Sequence, residues 1–280
     1  MELSFLRLPP SLDLADQVEN FWFMRGPSPA AMPEGHRILP DGCMEFIFQL
    51  GDAFRERRLA GSWRLQEHLL FVAQMERSVD IQPTGLIDTV GIHFRPAGAA
   101  AFVSGDLSRF LNRIVPLERL VDEDLSSLVK RLRAARTPER KAVVLEAFLQ
   151  ARRGTGDPLI SKAATQLSND TGLVDLDSAA RDLGLSVRQF RRRFERVVGI
   201  APKRFTRLVR FQRVFERRQE RDARAWSQVA LDCGYYDQAH FNRDFRAFAG
   251  AKPRDVLKNP DPLTEFFLSV SSKTAKRRRG

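Results

Sequence analysis

Between residues 176 and 256 the chain states nearly the same pattern twice. The first copy reads AARDLGLSVRQFRRRFERVVGIAP and the second VALDCGYYDQAHFNRDFRAFAGAKP. Ala180 precedes Gly184 by four residues, and Ala230 precedes Gly234 by four. Phe190, Phe194, Gly199 and Pro202 are separated by 4, 5 and 3 residues, as are Phe241, Phe245, Gly250 and Pro253. Only the turn differs, six residues from Gly184 to Phe190 against seven from Gly234 to Phe241. Matched spacing of this kind calls for two copies of one supersecondary unit.

The local chemistry says which unit. In the first copy Asp175 or Asp177 caps a helix through Leu183, Gly184 supplies a turn that favours φ > 0, and Ser186 caps the next helix. There Val187, Phe190, Phe194, Val197 and Val198 fall at helical spacing and are expected to face inward. Arg188, Arg191, Arg192 and Glu195 take the opposite face, with Arg193 offset to the flank as a phosphate contact. Two short helices, a Gly turn and a donor-rich second helix predict a helix-turn-helix. Arg suits bidentate contact with guanine in the major groove. Gly199 ends this helix, and Pro202 starts a long one. That helix buries Phe205, Leu208, Val209, Gln212, Val214 and Phe215, and carries Arg204, Arg207, Arg210, Arg213, Arg217 and Arg218 on its other face. About 18 residues of helix span ~27 Å, enough to hold two reading units near one DNA turn apart, ~34 Å. The second copy starts near Ala225; Ser227 to Asp232 form its supporting helix, and Asp237 caps the reader. Gln238, Ala239, His240, Asn242 and Arg243 remain for the groove. Asn and Gln suit adenine, and Arg guanine.

Charge is segregated in the same sense. Residues 174–280 hold 25 Lys and Arg against 13 Asp and Glu, whereas residues 1–173 hold 21 against 22. A near-neutral front and a strongly basic back indicate a polyanion-binding module joined to something else. The basic tail 276–279 is read as a solvated end that adds phosphate contacts at most.

The front half carries short β-prone runs: Asp16 to Met24, Arg37 to Leu39, Met44 to Leu50 after a Pro40-Asp41-Gly42 turn, Gly61 to Trp63 with His68 to Gln74, Ser78 to Gln82, and Thr89 to Phe94. Residues 26–35 read as a loop. Short strands between turn residues predict a small antiparallel sheet or barrel. Gly98 to Val103 begins a helix. From Leu117 to Leu132 apolar residues fall on one helical face. Thr137 and Pro138 read as N-cap and N1 of a further helix to Arg152. Residues 154–158 form the clearest linker, Asp157 or Thr155 caps a helix over 159–167, and 169–172 is a second break.

No GxSxG, GxGxxG or Walker loop is present, so catalytic residues and cofactors are expected to be absent. His36, His68 and His93 lack metal-ligand spacing, and Cys43 and Cys233 form no CxxC, so no metal or disulfide framework is expected. Phe46, Phe48, Trp63, Phe71 and Phe94 read as core rather than pocket. With no apolar run of ~18 residues and no signal-peptide pattern, the expectation is a cytoplasmic protein without membrane contact.

Residues from about 174 to 256 resemble the DNA-binding domain of AraC-type (arabinose-regulator) transcription factors, above all through VALDCGY, HFNRDFR and the closing GAKP. The resemblance implies two helix-turn-helix units on one long helix, reading adjacent major grooves, with Arg188, Arg191 and Arg192 as first readers and Gln238, Ala239, His240, Asn242 and Arg243 as second. Tyr235 and Trp226, and the Arg-rich first reader, depart from the family pattern and leave the operator open. LPDGCMEFIFQLGD and VGIHFRPAGAAAF are similar to the sensor domains that precede this module in some members, which implies a cupin-like barrel that binds an effector or a partner subunit. Family members that repair alkylated DNA need a zinc-binding cysteine cluster that this chain lacks.

The expected fold class is therefore α+β in two domains: an N-terminal small β-barrel or sheet with trailing helices over 1–153, a linker and lead-in helix over 154–173, an all-α double helix-turn-helix domain over 174–258, and a basic tail over 259–280. The expected function is sequence-specific transcriptional regulation, with activation as its output, and with double-stranded DNA, RNA polymerase, a small-molecule effector and a second copy of the chain as partners. The alternative is a metal-dependent β-barrel enzyme, using His36, Glu45, His68 and His93, fused to a DNA-localising domain. The two readers differ in sequence, so an asymmetric DNA site is expected.

Overall fold

The structure is a computed structural model that describes residues 3–27, 35–58, 61–121, 124–169, 175–220 and 226–257. Most of the expected loop at 26–35, most of the break at 169–172, the start near Ala225 and the tail at 276–279 lie outside these residues.

The front half is built from two open antiparallel sheets. The larger runs β1 (Ser4–Leu8), β2 (Val18–Gly26), β9 (Ile87–Phe94), β4 (Glu45–Gln49), β7 (Leu69–Val72), β10 (Ile114–Pro116). The smaller runs β3 (His36–Ile38), β8 (Val79–Gln82), β5 (Arg55–Arg58), β6 (Arg64–Leu65). Of the two forms expected, barrel or sheet, the sheet is the one found. The alternation of β-strand side chains divides the burial. Phe21 and Phe23 of β2, Phe46 and Phe48 of β4, and Val90, Ile92 and Phe94 of β9 pack on one face of the large sheet. Trp22, Ile47 and Ile87 lie on the other, toward the small sheet. Gly91 sits on that second face because a Cβ there would run into the Trp22 indole.

The helical cover of the first face is shorter than the periodicity suggests. A single 3-10 turn occupies Leu117–Arg119, and α1 spans only Ser126–Ala134. Leu117, Val121, Leu125, Leu128 and Leu132 still share one core. The apolar stripe is therefore satisfied by packing without one continuous helix. Gly98–Ala101 is likewise a 3-10 turn. α2 (Pro138–Arg152) starts where Thr137 accepts a hydrogen bond from the Arg140 amide, with Pro at N1. Its Phe148 ring packs edge-on to Phe46 and Phe48, at 6.5 and 6.2 Å between centroids. Of the five aromatics weighed as pocket or core, Phe46, Phe48, Phe71 and Phe94 are wholly buried core. Trp63 is instead half-buried, outside that core, under the Arg57 guanidinium.

Two strand expectations change. The segments around Pro40-Asp41-Gly42 are not partners across a turn: β3 pairs with β8, whereas β4 pairs with β7 and β9. Gly42, at φ +87°, instead carries the chain from one sheet to the other. Gly61 to Trp63 is not a strand, and the β signal there falls on β6 and β7.

Beyond the linker, α3 (Pro158–Asn169) packs with α4 (Leu176–Asp182) and α5 (Val187–Val198). Asp157 rather than Thr155 caps α3, accepting from the Ile160 amide at 3.2 Å. α6 (Pro202–Glu220) then leads to α7 (Trp226–Asp232), α8 (Gln238–Ala249) and the short α9 (Pro253–Leu257). Its 19 residues give ~28 Å at 1.5 Å per residue.

Candidate nucleic-acid interface

Both units form as the local signals dictate. Asp175 caps α4 by accepting from the Asp177 amide. Gly184 turns with φ +65° and Gly234 with φ +85°. Ser186 and Gln189 close a full capping box on α5, while Asp237 alone caps α8 by accepting from the His240 amide. Each reader ends on a left-handed glycine, Gly199 or Gly250. α5 buries Phe190, Phe194, Val197 and Val198 against Phe205 of α6, and α8 buries Phe241, Phe245 and Phe248 against Phe211. Val187 departs from the expectation and is 45% exposed. It is the first residue of α5, at the open end of the helix, where the stripe has not yet met a partner.

The donor-rich faces are open among the described residues. Arg188, Arg191 and Arg192 on α5 are exposed, as are Gln238, Ala239 and Arg243 on α8. Asn242 is half-buried at the edge of its face. Arg196 and Arg246 are exposed one turn further along. Sequence reasoning missed them, although i+4 spacing from Arg192 and Asn242 marks them. Tyr236, 88% exposed in the turn before α8, was missed too; an aromatic beside a buried Tyr235 gives no sequence sign of which ring faces out.

Two residues of the expected reading set face elsewhere. Arg193 forms a forked ion pair with Asp157, Nη2 to Oδ2 at 2.8 Å and Nε to Oδ2 at 3.1 Å. It fastens α5 to the cap of α3. His240 is half-buried, its ring 5.1 Å from that of Tyr235 and its Nε2 3.9 Å from Asp244 Oδ2.

Four of the α6 arginines, Arg204, Arg207, Arg210 and Arg213, are fasteners, whereas Arg217 is exposed. Arg207 donates to Asp244 of α8 at 2.6 Å, a bond that raises the guanidinium pKa, and Asp244 is almost wholly buried. Arg213 donates to the Ser168 carbonyl at 2.7 Å, Arg210 lies over the Tyr235 ring, and Arg204 pairs with Glu76 of the front half at 2.9 Å.

The front half grips both readers at their C-terminal ends. The last carbonyls of a helix lack intrahelical donors. On α8 the Phe248 carbonyl accepts from the Ser78 amide at 2.8 Å, and the Ala249 carbonyl from the Ser78 hydroxyl at 3.0 Å and from Arg37 at 3.4 Å. On α5 a Cβ at Gly199 would lie 2.7 Å from Met44 and 3.1 Å from Gln74. The core of each unit also takes in front-half residues, Ala97 in the first and Leu39 in the second. Between the units, Gln212 of α6 donates to the Pro40 carbonyl.

The histidines considered for an enzyme do not converge. His68 Nδ1 meets the Gln49 carbonyl at 2.9 Å, and His36 lies on β3 opposite Ile81. His93 does meet Glu45, at 2.6 Å, and beside it stand Asp41 and Cys43. Burial raises the Asp41 carboxyl and pushes the Cys43 thiol up to about 11. Burial alone lowers the His93 pKa, but Cys43, Asp41 and the bond to Glu45 outweigh it and hold His93 well above its usual value.

Two family models match the chain. Residues 179–259 match a helix-turn-helix domain, and residues 6–116 match a domain of unknown function, DUF6597. The chain is similar to the HTH-type transcriptional activator RhaS of Escherichia coli (strain SE11), 23% identical over 133 residues, 45% of this chain and 48% of that protein. RhaS of Escherichia coli O157:H7 matches to the same extent. The chain spans about half the length of the curated relatives it matches. Among solved structures, ToxT from Vibrio cholerae aligns over 95% of this chain and 97% of its own at 8% identity and a TM-score of 0.46. The structure of unsaturated fatty acid bound wild-type ToxT from strain SCE256 aligns over 91% and 94%, at 9% identity and a TM-score of 0.44. No helix among the described residues is long and apolar enough to cross a membrane.

Proposed function

We propose that the chain, whose residues 179–259 match a helix-turn-helix domain, is a sequence-specific DNA-binding regulator of transcription of the AraC type, whose front half controls how the two readers are held. One observation carries this reading: two capped helices with open donor faces are fixed on one rigid connecting helix, α6. Arg188, Arg191 and Arg192 read guanine and phosphate. Gln238, Ala239, Asn242 and Arg243 read a more mixed stretch. Arg193 and His240 brace their helices from behind.

Control by the front half is control of orientation. The reading faces are exposed with that half in place, so it does not cover them. It touches the C-terminal ends of α5 and α8 and the flank of α6. A small-molecule effector or a second copy bound there acts on DNA by changing the angle between readers. Activation through RNA polymerase is the corresponding output, and a cytoplasmic location follows from the same reading. A small-molecule screen by thermal shift separates a sensing front half from a purely dimerising one, since a ligand raises stability by mass action.

The deciding experiment is genomic binding-site mapping with the wild-type chain, followed by gel shift on the sites found. The double variant Arg191→Ala with Arg243→Ala should lose affinity, each base contact costing ~1–3 kcal/mol. Unchanged affinity and sequence preference in that variant would remove the proposal.

A further inference from the structure

The segment from Leu39 to Glu45 has two sides. Leu39, Pro40, Gly42 and Met44 face the DNA-binding half: Leu39 joins the α6–α8 core, the Pro40 carbonyl accepts from Gln212, a Cβ on Gly42 would lie 3.5 Å from the Phe205 ring, and Met44 meets Gly199. Asp41, Cys43 and Glu45 alternate with them and meet His93 instead. The register explains why. Glu45 of β4 is the cross-strand partner of His93 of β9, and both point to the side of the large sheet that carries Trp22.

We propose that Asp41, Cys43 and His93 form a binding site for a zinc-class divalent transition metal. A ligand atom from each of the three lies within 4.8 Å of the others. His93 Nε2 is 3.5 Å from Asp41 Oδ2, close to the separation of two donors each ~2.0–2.2 Å from one tetrahedral ion. The Cys43 Sγ faces the same imidazole, within that 4.8 Å. One thiolate, one imidazole and one carboxylate are a donor set suited to zinc, and they leave a fourth position for water or an exogenous ligand.

The surroundings of the three residues supply the independent sign. His93 Nδ1 is 2.6 Å from Glu45 Oε1, and Trp22 Nε1 donates to that same oxygen at 3.2 Å. A carboxylate on Nδ1 is the usual partner of a metal-bound histidine and leaves Nε2 to the ion, whose binding displaces the Nε2 and thiol protons. Asp41 is oriented likewise, because its Oδ1 accepts from the Cys43 amide at 3.0 Å and leaves Oδ2 toward the imidazole. A thiolate and the Asp41 carboxylate together balance the charge of a divalent ion. The pattern escaped the sequence reading because Cys43 and His93 lie 50 positions apart, and only the β4–β9 register joins them.

The test is titration of purified, chelator-treated full-length protein with Co²⁺. One equivalent should bind with a thiolate-to-cobalt charge-transfer band in the near ultraviolet, and Zn²⁺ should abolish it by displacement. Cys43→Ser should remove the band, while Cys233→Ser, in the core of the second unit, should keep it. Glu45→Gln should keep the band and weaken affinity about 10–100-fold. In wild-type protein Zn²⁺ should also protect Cys43 from alkylation, mapped by mass spectrometry, which needs no variant to fold. No charge-transfer band in the wild type, a band that survives Cys43→Ser, or alkylation of Cys43 indifferent to Zn²⁺ would overturn the site. None of these measurements involves DNA, so their failure leaves the regulator reading untouched.

Discussion

The two helix-turn-helix units share their scaffold and invert their fastening. Arg193 stands three residues after Phe190, and Asp244 three after Phe241, so they are equivalent positions in the repeat. In the first unit the reader carries the cation, and Asp157 at the cap of α3 carries the acid; in the second the reader carries the acid, and Arg207 of α6 the cation. Each pair ties a reader to a neighbouring helix outside its own two-helix unit, α3 in the first and α6 in the second. A shared spacing thus fixes where a fastener goes, not its sign. The exposed faces differ in the same direction. The first offers arginines almost exclusively, and the second offers Gln238, Ala239, Asn242 and Arg243.

The largest expected effect tests that difference at the DNA. Changing Arg188, Arg191 and Arg192 together to Ala should weaken binding by about 3 kcal/mol or more, and flatten the salt dependence by up to ~1 per lost phosphate contact. Changing Gln238 and Arg243 to Ala should cost less and chiefly relax base preference in the other half-site. Fluorescence anisotropy across a salt series, on sites mutated one half at a time, separates the two. Equal slopes and equal changes of preference would show that the units divide no labour.

Next comes the fastening itself. Arg207→Ala leaves the Asp244 carboxylate buried without its cation, a loss that reaches ~3–5 kcal/mol for fully buried pairs. Arg207 is 46% exposed, so solvent screening should bring the cost down to about 2–3 kcal/mol. Arg193→Ala should behave alike through Asp157, at about 1–2 kcal/mol, since Asp157 is less completely buried. Thermal melts of the two single variants give the order. Should both leave the melting temperature in place, the paired charges would be bystanders to packing.

These assignments mark where sequence stops. The caps, turns and Phe stripes were legible because they are local: Ser186 with Gln189, Gly199, and Thr137 before Pro138 each act within one helical turn. The role of Arg193 was not legible, because its partner is 36 residues away and an arginine at the edge of a polar face has the same periodicity whether it meets phosphate or carboxylate. The arginines of α6 were hidden for the same reason. The front half was legible as strands but not as sheets, since the β4–β9 pairing that sets Glu45 opposite His93 joins segments far apart in sequence. Its hold on the readers depends on backbone carbonyls of Phe248 and Ala249, which no side-chain pattern reports.

A smaller effect probes that hold. Ser78→Ala removes the hydroxyl donor to Ala249 while leaving the amide bond to Phe248. The loss of one hydrogen bond should cost about 1 kcal/mol. If the front half fixes the second reader more than the first, hydrogen exchange should rise at the C-terminal end of α8 and stay unchanged at that of α5. Equal loosening of both ends would mean that the segment from Ala73 to Ser78 works as one clamp.

The smallest effect concerns Tyr235, whose counterpart in the first unit is Leu185. Its ring is buried against Phe241 and beneath Arg210, while its hydroxyl has no hydrogen-bond partner among the described residues. Burial also raises the phenol pKa, so the group stays neutral. A buried donor with no acceptor is a cost, and removing it with the ring kept returns that cost. Tyr235→Phe should therefore leave stability within about 0.5 kcal/mol or increase it, and leave DNA affinity unchanged. A drop in the melting temperature comparable to that of Arg207→Ala would instead show the hydroxyl bonded in solution. Asp244, whose Oδ2 likewise accepts no hydrogen bond among the described residues, would then be the first acceptor to examine, and the second reader would be fastened by a three-residue network where the first relies on a single pair.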